Sequence, residues 1–123
     1  MDAGSPLAAA LESVCYRPEL EACPERPYPF AYRIRLRNEG VEPLVVLRRK
    51  WIVTGVSGQT LVIEGDGVVG ETPLIEPGGE FGYSSYLAIA EDSCILGSYF
   101  GQLESGGKVI AMLPQFEISI CPP

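Results

Sequence analysis

Glu64-Gly65-Asp66-Gly67-Val68-Val69-Gly70-Glu71-Thr72-Pro73 spells G-x-G-x-x-G, and the reading of this stretch decides between an α/β and an all-β fold. As a dinucleotide fingerprint it would need a strand before it and a helix after it, so that backbone N–H groups at the helix start could hold a pyrophosphate. Pro73 arrives three residues after the last glycine, and Leu74-Ile75-Glu76-Pro77-Gly78-Gly79 adds a second proline and two more glycines. Those residues break a helix before it completes the turns it would need. The stretch is therefore read as a shaped loop between strands.

On both sides of it the hydrophobic pattern has the period of strands. Upstream, Phe30, Tyr32, Ile34 and Leu36 share one parity while Arg33, Arg35 and Arg37 share the other, which predicts a half-buried strand with a basic outer face. Asn38-Glu39-Gly40 supplies turn chemistry, Leu44 to Thr54 reads as a Val-rich strand carrying the single Trp51, and Ser57-Gly58 turns the chain into Gln59 to Glu64. Downstream, strands are predicted over Phe81 to Ala90, Cys94 to Leu103 and Val109 to Ile120, the last bent or interrupted at Pro114. Leu7 to Tyr16 is read as an edge strand, although Leu-Ala-Ala-Ala-Leu has helical propensity, and residues 18–29 as a Pro-rich loop. Seven to eight short strands with no long helical period predict an all-β chain folded as one antiparallel β-sandwich over residues 1–123.

Composition narrows the partners. Lys and Arg number 9 against 16 Asp and Glu, a net charge of −7, which disfavours non-specific attraction to nucleic acid or anionic lipid. Residues 1–60 carry eight basic and seven acidic side chains, whereas residues 61–123 carry Lys108 against nine acids, so the glycine stretch lies in the acidic half. The N-terminal segment has no basic n-region and its apolar run is short, and no stretch is long and apolar enough to span a membrane. Four cysteines without a secretory signal are read as free thiols of a cytoplasmic protein, with a Cys15–Cys23 bridge as the alternative.

Taken as a set, Tyr32-x-Ile34-x-Leu36-x-Asn38-Glu39-Gly40, Leu47-x-Arg49-x-Trp51-Ile52-Val53, Glu64-Gly65-x-Gly67-Val68-Val69-Gly70-Glu71-x-Pro73, Pro77-Gly78-x-x-Phe81-x-Tyr83-x-Ser85, Gly97-x-Tyr99 and Pro114-x-Phe116 resemble the ApaG family, over about residues 28–118. The resemblance implies a fibronectin type III or immunoglobulin-like sandwich acting as a binding module, with no catalytic residue set. Links of bacterial members to cobalt or magnesium and to nucleotide polyphosphates come with it. Where the family pattern commonly reads Arg-His-Trp this chain has Arg49-Lys50-Trp51, and it contains no histidine, so no imidazole role carries over.

Four local expectations follow. The loop Gly65, Asp66, Gly67, Val68, Val69, Gly70 and Glu71 is a candidate nest of backbone N–H groups for a small anion such as a pyrophosphate, opposed by the carboxylates of Glu64, Asp66, Glu71 and Glu76. The same acids, Glu64, Asp66 and Glu71, form a weak candidate site for a divalent cation. Arg49 shares strand parity with Trp51, Leu47 and Val45, so it is expected to point inward and to pair with Glu71, or failing that Glu64, unless a bulge sends it to solvent. Arg33, Arg35 and Arg37 form a candidate face for cross-strand acids or an acidic protein partner. With no histidine and no lysine near Ser84-Ser85, nucleophilic catalysis finds no pair, and the cysteines lack paired zinc spacing. The expectation is a non-catalytic protein-interaction module without cofactor; its alternative is a small-ligand binder using the glycine loop.

Overall fold

A computed structural model describes residues 5–120, and the described residues form eight strands and no helix. They are β1 (Leu7–Tyr16), β2 (Tyr28–Asn38), β3 (Leu44–Gly55), β4 (Thr60–Asp66), β5 (Leu74–Ile75), β6 (Glu80–Ile89), β7 (Ser93–Leu103) and β8 (Lys108–Ile118). One sheet has the order β1-β2-β6, the other β4-β3-β7-β8 with β5 also paired to β3, and every pairing is antiparallel. The expected antiparallel sandwich is thus present. No helix among the described residues is long and apolar enough to cross a membrane.

The alternation read in β2 places Ile34 and Leu36 at no exposure in the core, with Phe30 close behind. Leu-Ala-Ala-Ala-Leu is strand, not helix: Leu7 to Leu11 pair with Asn38 to Ile34 and Leu7 is buried. Pairing and burial outweigh a preference of a few tenths of a kcal/mol per residue, roughly the span of helix propensity among ordinary residues. β1 also packs along β8, which closes one side of the sandwich. The other side lies between the edges of β4 and β6.

Two irregularities interrupt the larger sheet. The β3–β7 register shifts between Val46 and Arg48, so Leu44 and Val46 face the core before the bulge and Trp51 and Val53 face it afterwards, while Leu47 is exposed. The bulge precedes Arg49 and leaves it on the inward set with Trp51; the shared inward parity expected for Leu47 and Val45 does not hold, since Leu44 and Val46 are the buried pair. A second shift between Ile95 and Gly97 lies opposite Pro114, where the last strand was expected to bend. β5 is a two-residue strand that the sequence reading did not contain, and Gly65 and Asp66 belong to β4, not to the loop. Cys15, Cys23 and Cys94 are free thiols, so the Cys15–Cys23 alternative is not realised; Cys121 lies outside the described residues.

Candidate functional site

The glycine stretch is an excursion of the chain from the edge of β3. β4 runs beside β3 until Arg48 opposes Asp66; then the Gly67 N–H donates to the Leu47 carbonyl at the bulge (2.6 Å), and the chain rejoins when the Val46 N–H donates to the Pro73 carbonyl (3.0 Å). Between these points Val68 and Glu71 exchange both backbone hydrogen bonds, at 2.7 and 3.0 Å, around Val69 and Gly70, whose φ values are +43° and +83°. Two left-handed residues in a two-residue turn match the twist of a hairpin. Val68 is completely buried and plugs the core, while Val69 is 46% exposed. The N–H groups of Gly67, Val68 and Glu71 are therefore bonded within the protein instead of converging on an anion.

What occupies the hollow of this loop is Arg49. It lies opposite Gly65 in the β3–β4 register, on the inward face, and a Cβ built on Gly65 would stand 3.0 Å from Nη1, 3.1 Å from Nη2 and 3.2 Å from Cζ. The guanidinium rests on the bare glycine backbone, and Nη1 donates to the Gly67 carbonyl at 3.0 Å and, at a long 3.4 Å, to that of Asp66. This corrects the expected ion pair: among the described residues no carboxylate lies within salt-bridge distance of Arg49, Glu71 is exposed, and Glu64 pairs instead with Arg48 at 3.3 Å. Carbonyl oxygens carry enough partial negative charge to satisfy one edge of a half-buried guanidinium. The acids Glu64, Asp66 and Glu71 are not gathered either; among the described residues no group of three His, Cys, Asp or Glu could hold a metal ion.

Beneath Arg49 is an aromatic cluster. Tyr32 packs against Trp51 at 4.6 Å with the rings tilted by 31°, and Trp51 meets Phe116 edge-on at 6.0 Å. The Trp51 indole N–H donates to the Tyr99 hydroxyl at 3.2 Å, and the Tyr83 and Tyr99 hydroxyls share a bond of 2.6 Å. Burial pushes all three phenols up: Tyr99 to about 12, Tyr83 further, helped by its neighbour Tyr99, and Tyr32 against smaller opposing pulls from Ser85 and the Arg49 charge. A cleft of about 110 Å³ opens between the β4 and β6 edges, lined by Tyr32, Arg49, Trp51, Val69, Tyr83 and Ser85 among others.

Arg33, Arg35 and Arg37 share the outer face of β2, where neighbouring strands supply acids. Glu12, the extra residue in the β1 bulge, meets Arg33 and Arg35; Glu80 meets Arg35 and Arg37; Glu39 reaches Arg37 at 4.0 Å. This ladder is solvent-exposed, where screening by water and salt and the entropy of holding long side chains leave such pairs little net stabilisation. One residue exceeds its sequence reading. Asn38, read as turn chemistry, is fully buried and donates from Nδ2 to the Glu42 and Ile75 carbonyls (2.7 and 2.9 Å) while Oδ1 accepts from the Gly40 N–H (2.9 Å). It ties β2 to β5, and its position next to a glycine turn was the only available signal.

A small antiparallel β-sandwich, with a glycine loop folded round an inward arginine at its open side, is the class of protein these features define. The sequence pattern of the ApaG domain is matched by residues 18–103. A Protein ApaG of Maricaulis maris is 37% identical over 102 residues, covering 81% of this chain and 78% of that one, and one of Sodalis glossinidius is 36% identical with 83% of each covered. The crystal structure of a putative ApaA protein from Bordetella pertussis superposes with a TM-score of 0.82 over 98% of both chains at 29% identity. The chain belongs to the ApaG domain family.

Proposed function

We propose that this chain is a non-catalytic, cytoplasmic protein-interaction module that docks through the outer face of the β4-β3-β7-β8 sheet. One observation carries the reading: that face, which should be polar in a monomer, presents apolar side chains in three successive rows, the middle one holding Met112 beside Ser98 and Lys50. Val62 and Leu96 flank Ile52 in one row, and Phe100 lies beside Ile110 in another, with Met112 two residues along β8. Val62, Leu96, Ile110 and Met112 are 47, 38, 45 and 60% exposed. Apolar surface of this kind, edged by charge, marks interaction sites; here Arg48, over the Phe100 ring at 6.0 Å, and Lys108 stand at its edge and Lys50 between its rows. The arginine face of β2 is the weaker candidate because Glu12, Glu39 and Glu80 already match its charge. Free thiols at Cys15, Cys23 and Cys94 suit a reducing compartment.

The test is capture of partners from the native cells with the wild-type chain, with Ile110→Asp/Met112→Asp, and with Arg35→Glu as an off-face control. A partner retained by wild type and Arg35→Glu but lost by the double variant, at unchanged melting temperature, is the expected result. Equal retention by all three would refute the sheet-face reading.

A further inference from the structure

We propose that the cleft at the open side of the sandwich is a binding site for a short-chain monocarboxylate, with Arg49 as its anchor. The inference is independent of the apolar sheet face, which lies on the opposite side of β3 and β4. Arg49 is held by one nitrogen only: Nη1 bonds the Gly67 and Asp66 carbonyls, while Nε and Nη2 have no hydrogen-bond partner among the described residues. A guanidinium presents five N–H donors in a planar fork, and a half-buried one with an unfilled edge and no carboxylate beside it attracts a planar two-oxygen anion.

The walls define the rest of the ligand. Tyr32 and Ser85, facing each other across β2 and β6, bring hydroxyls to the cleft, whereas Trp51, Ile63, Leu87 and Val69 make it apolar. About 110 Å³ between them holds several water molecules' worth of space, enough for a carboxylate with a short aliphatic tail and too little for a nucleotide or a polypeptide segment. Charge points the same way. A net charge of −7 and the exposed Glu71 in the adjoining turn repel a phosphate dianion or a polyphosphate more than a monoanion. The glycine stretch serves this site indirectly, since Gly65 lets the guanidinium lie flat and the turn sets Val69 at the mouth.

Trp51 is the single tryptophan and lines the cleft, so its fluorescence reports occupancy directly. The full chain is titrated with sodium butyrate at pH 7 and constant ionic strength, against sodium chloride and inorganic phosphate, while the Arg49 Nε–H resonance is followed by NMR. Expected are a saturable change at millimolar butyrate with movement of the Nε–H signal, binding at least about ten-fold weaker for phosphate, and a loss of about ten-fold or more in Arg49→Gln. Ser85→Leu fills the cleft from β6 without touching Arg49 and should abolish saturation, which decides the matter if Arg49→Gln fails to fold. A linear response equal to that of chloride, undiminished affinity in a folded Arg49→Gln, saturation that survives Ser85→Leu, or phosphate binding as well as butyrate would overturn the proposal.

Discussion

Substituting Gly65 by alanine should destabilise the protein in the presence of Arg49 and stabilise it in its absence. In an ordinary strand interior, Gly→Ala restricts the unfolded chain and gains about 0.5–1 kcal/mol. Gly65 lies in β4 with no left-handed φ, so the backbone accepts the change. The new methyl, however, would stand 3.0–3.2 Å from three atoms of the guanidinium. Arg49 must lift by a few tenths of an ångström, and its 3.0 Å bond to the Gly67 carbonyl is the one that suffers. A hydrogen bond from a charged donor contributes about 1.5–3 kcal/mol, so its loss exceeds the entropic gain and leaves a net cost of roughly 1–2 kcal/mol. In an Arg49→Ala background the obstacle is gone and only the gain of about 0.5–1 kcal/mol remains, a coupling of about 2 kcal/mol between the two sites. Urea unfolding of the four proteins, followed by Trp51 fluorescence, measures the cycle, with unchanged slopes certifying a common unfolding reaction. Gly65→Ala acting with the same sign in both backgrounds would refute the idea that this glycine exists to admit the arginine.

Val69 is a β-branched residue at φ +43°, a conformation that strains such side chains by about 1–3 kcal/mol, so Val69→Asn should stabilise by about 1 kcal/mol and raise the melting temperature by roughly 3–6 °C in calorimetry. Tyr83, Tyr99 and Tyr32 have folded-state values raised above the ordinary phenol value, so the unfolded state releases protons first as pH rises. Their stabilisation is complete below about pH 10 and is lost above it, by about 1.4 kcal/mol per pH unit per buried phenol, for Tyr99 up to about pH 12. Absorbance at tyrosinate wavelengths should accordingly show the contribution of Tyr32, Tyr83 and Tyr99 delayed and then released on alkaline unfolding. Asn38→Leu strands the buried Ile75 carbonyl, at about 1–3 kcal/mol, removes the partner of the part-buried Glu42 carbonyl and Gly40 N–H as well, and should lower stability in urea by about 2 kcal/mol or more.

Period-2 alternation made the sandwich legible because one buried face imposes it over ten or more residues, as in β2 and β7. A two-residue strand such as β5 has no period to detect, and its pairing with Leu44 and Val45 depends on where the excursion from β3 returns. Bulges are equally silent in the sequence. The one at Leu47 changes which of Val45, Leu47 and Arg49 face inward, and the one at Glu12 aims a carboxylate at Arg33 and Arg35. The inward direction of Arg49 was legible, but its partners were not. Charges are visible in a sequence and suggest a carboxylate, whereas carbonyl oxygens belong to every residue and become an acceptor site only when the backbone bends them together.

The G-x-G-x-x-G spacing follows from that bending, without a phosphate. Gly65 must be bare because the guanidinium of its cross-strand partner lies on it. Gly67, two residues on and so on the same side of the chain, is where Nη1 finds its carbonyl; its φ of +60° turns the chain off the sheet edge, and a Cβ there would stand 2.0 Å from the Glu71 carbonyl oxygen. Gly70 falls three further because Val68, which must plug the core, opens a two-residue turn whose second position has φ +83°. The three glycines thus answer three separate backbone demands made by one arginine and one buried valine. Of these, only the demand at Gly67 pits a side chain against main chain, which cannot move aside. Gly67→Ala should therefore cost more than Gly65→Ala in the wild-type background, and should keep its sign when Arg49 is removed.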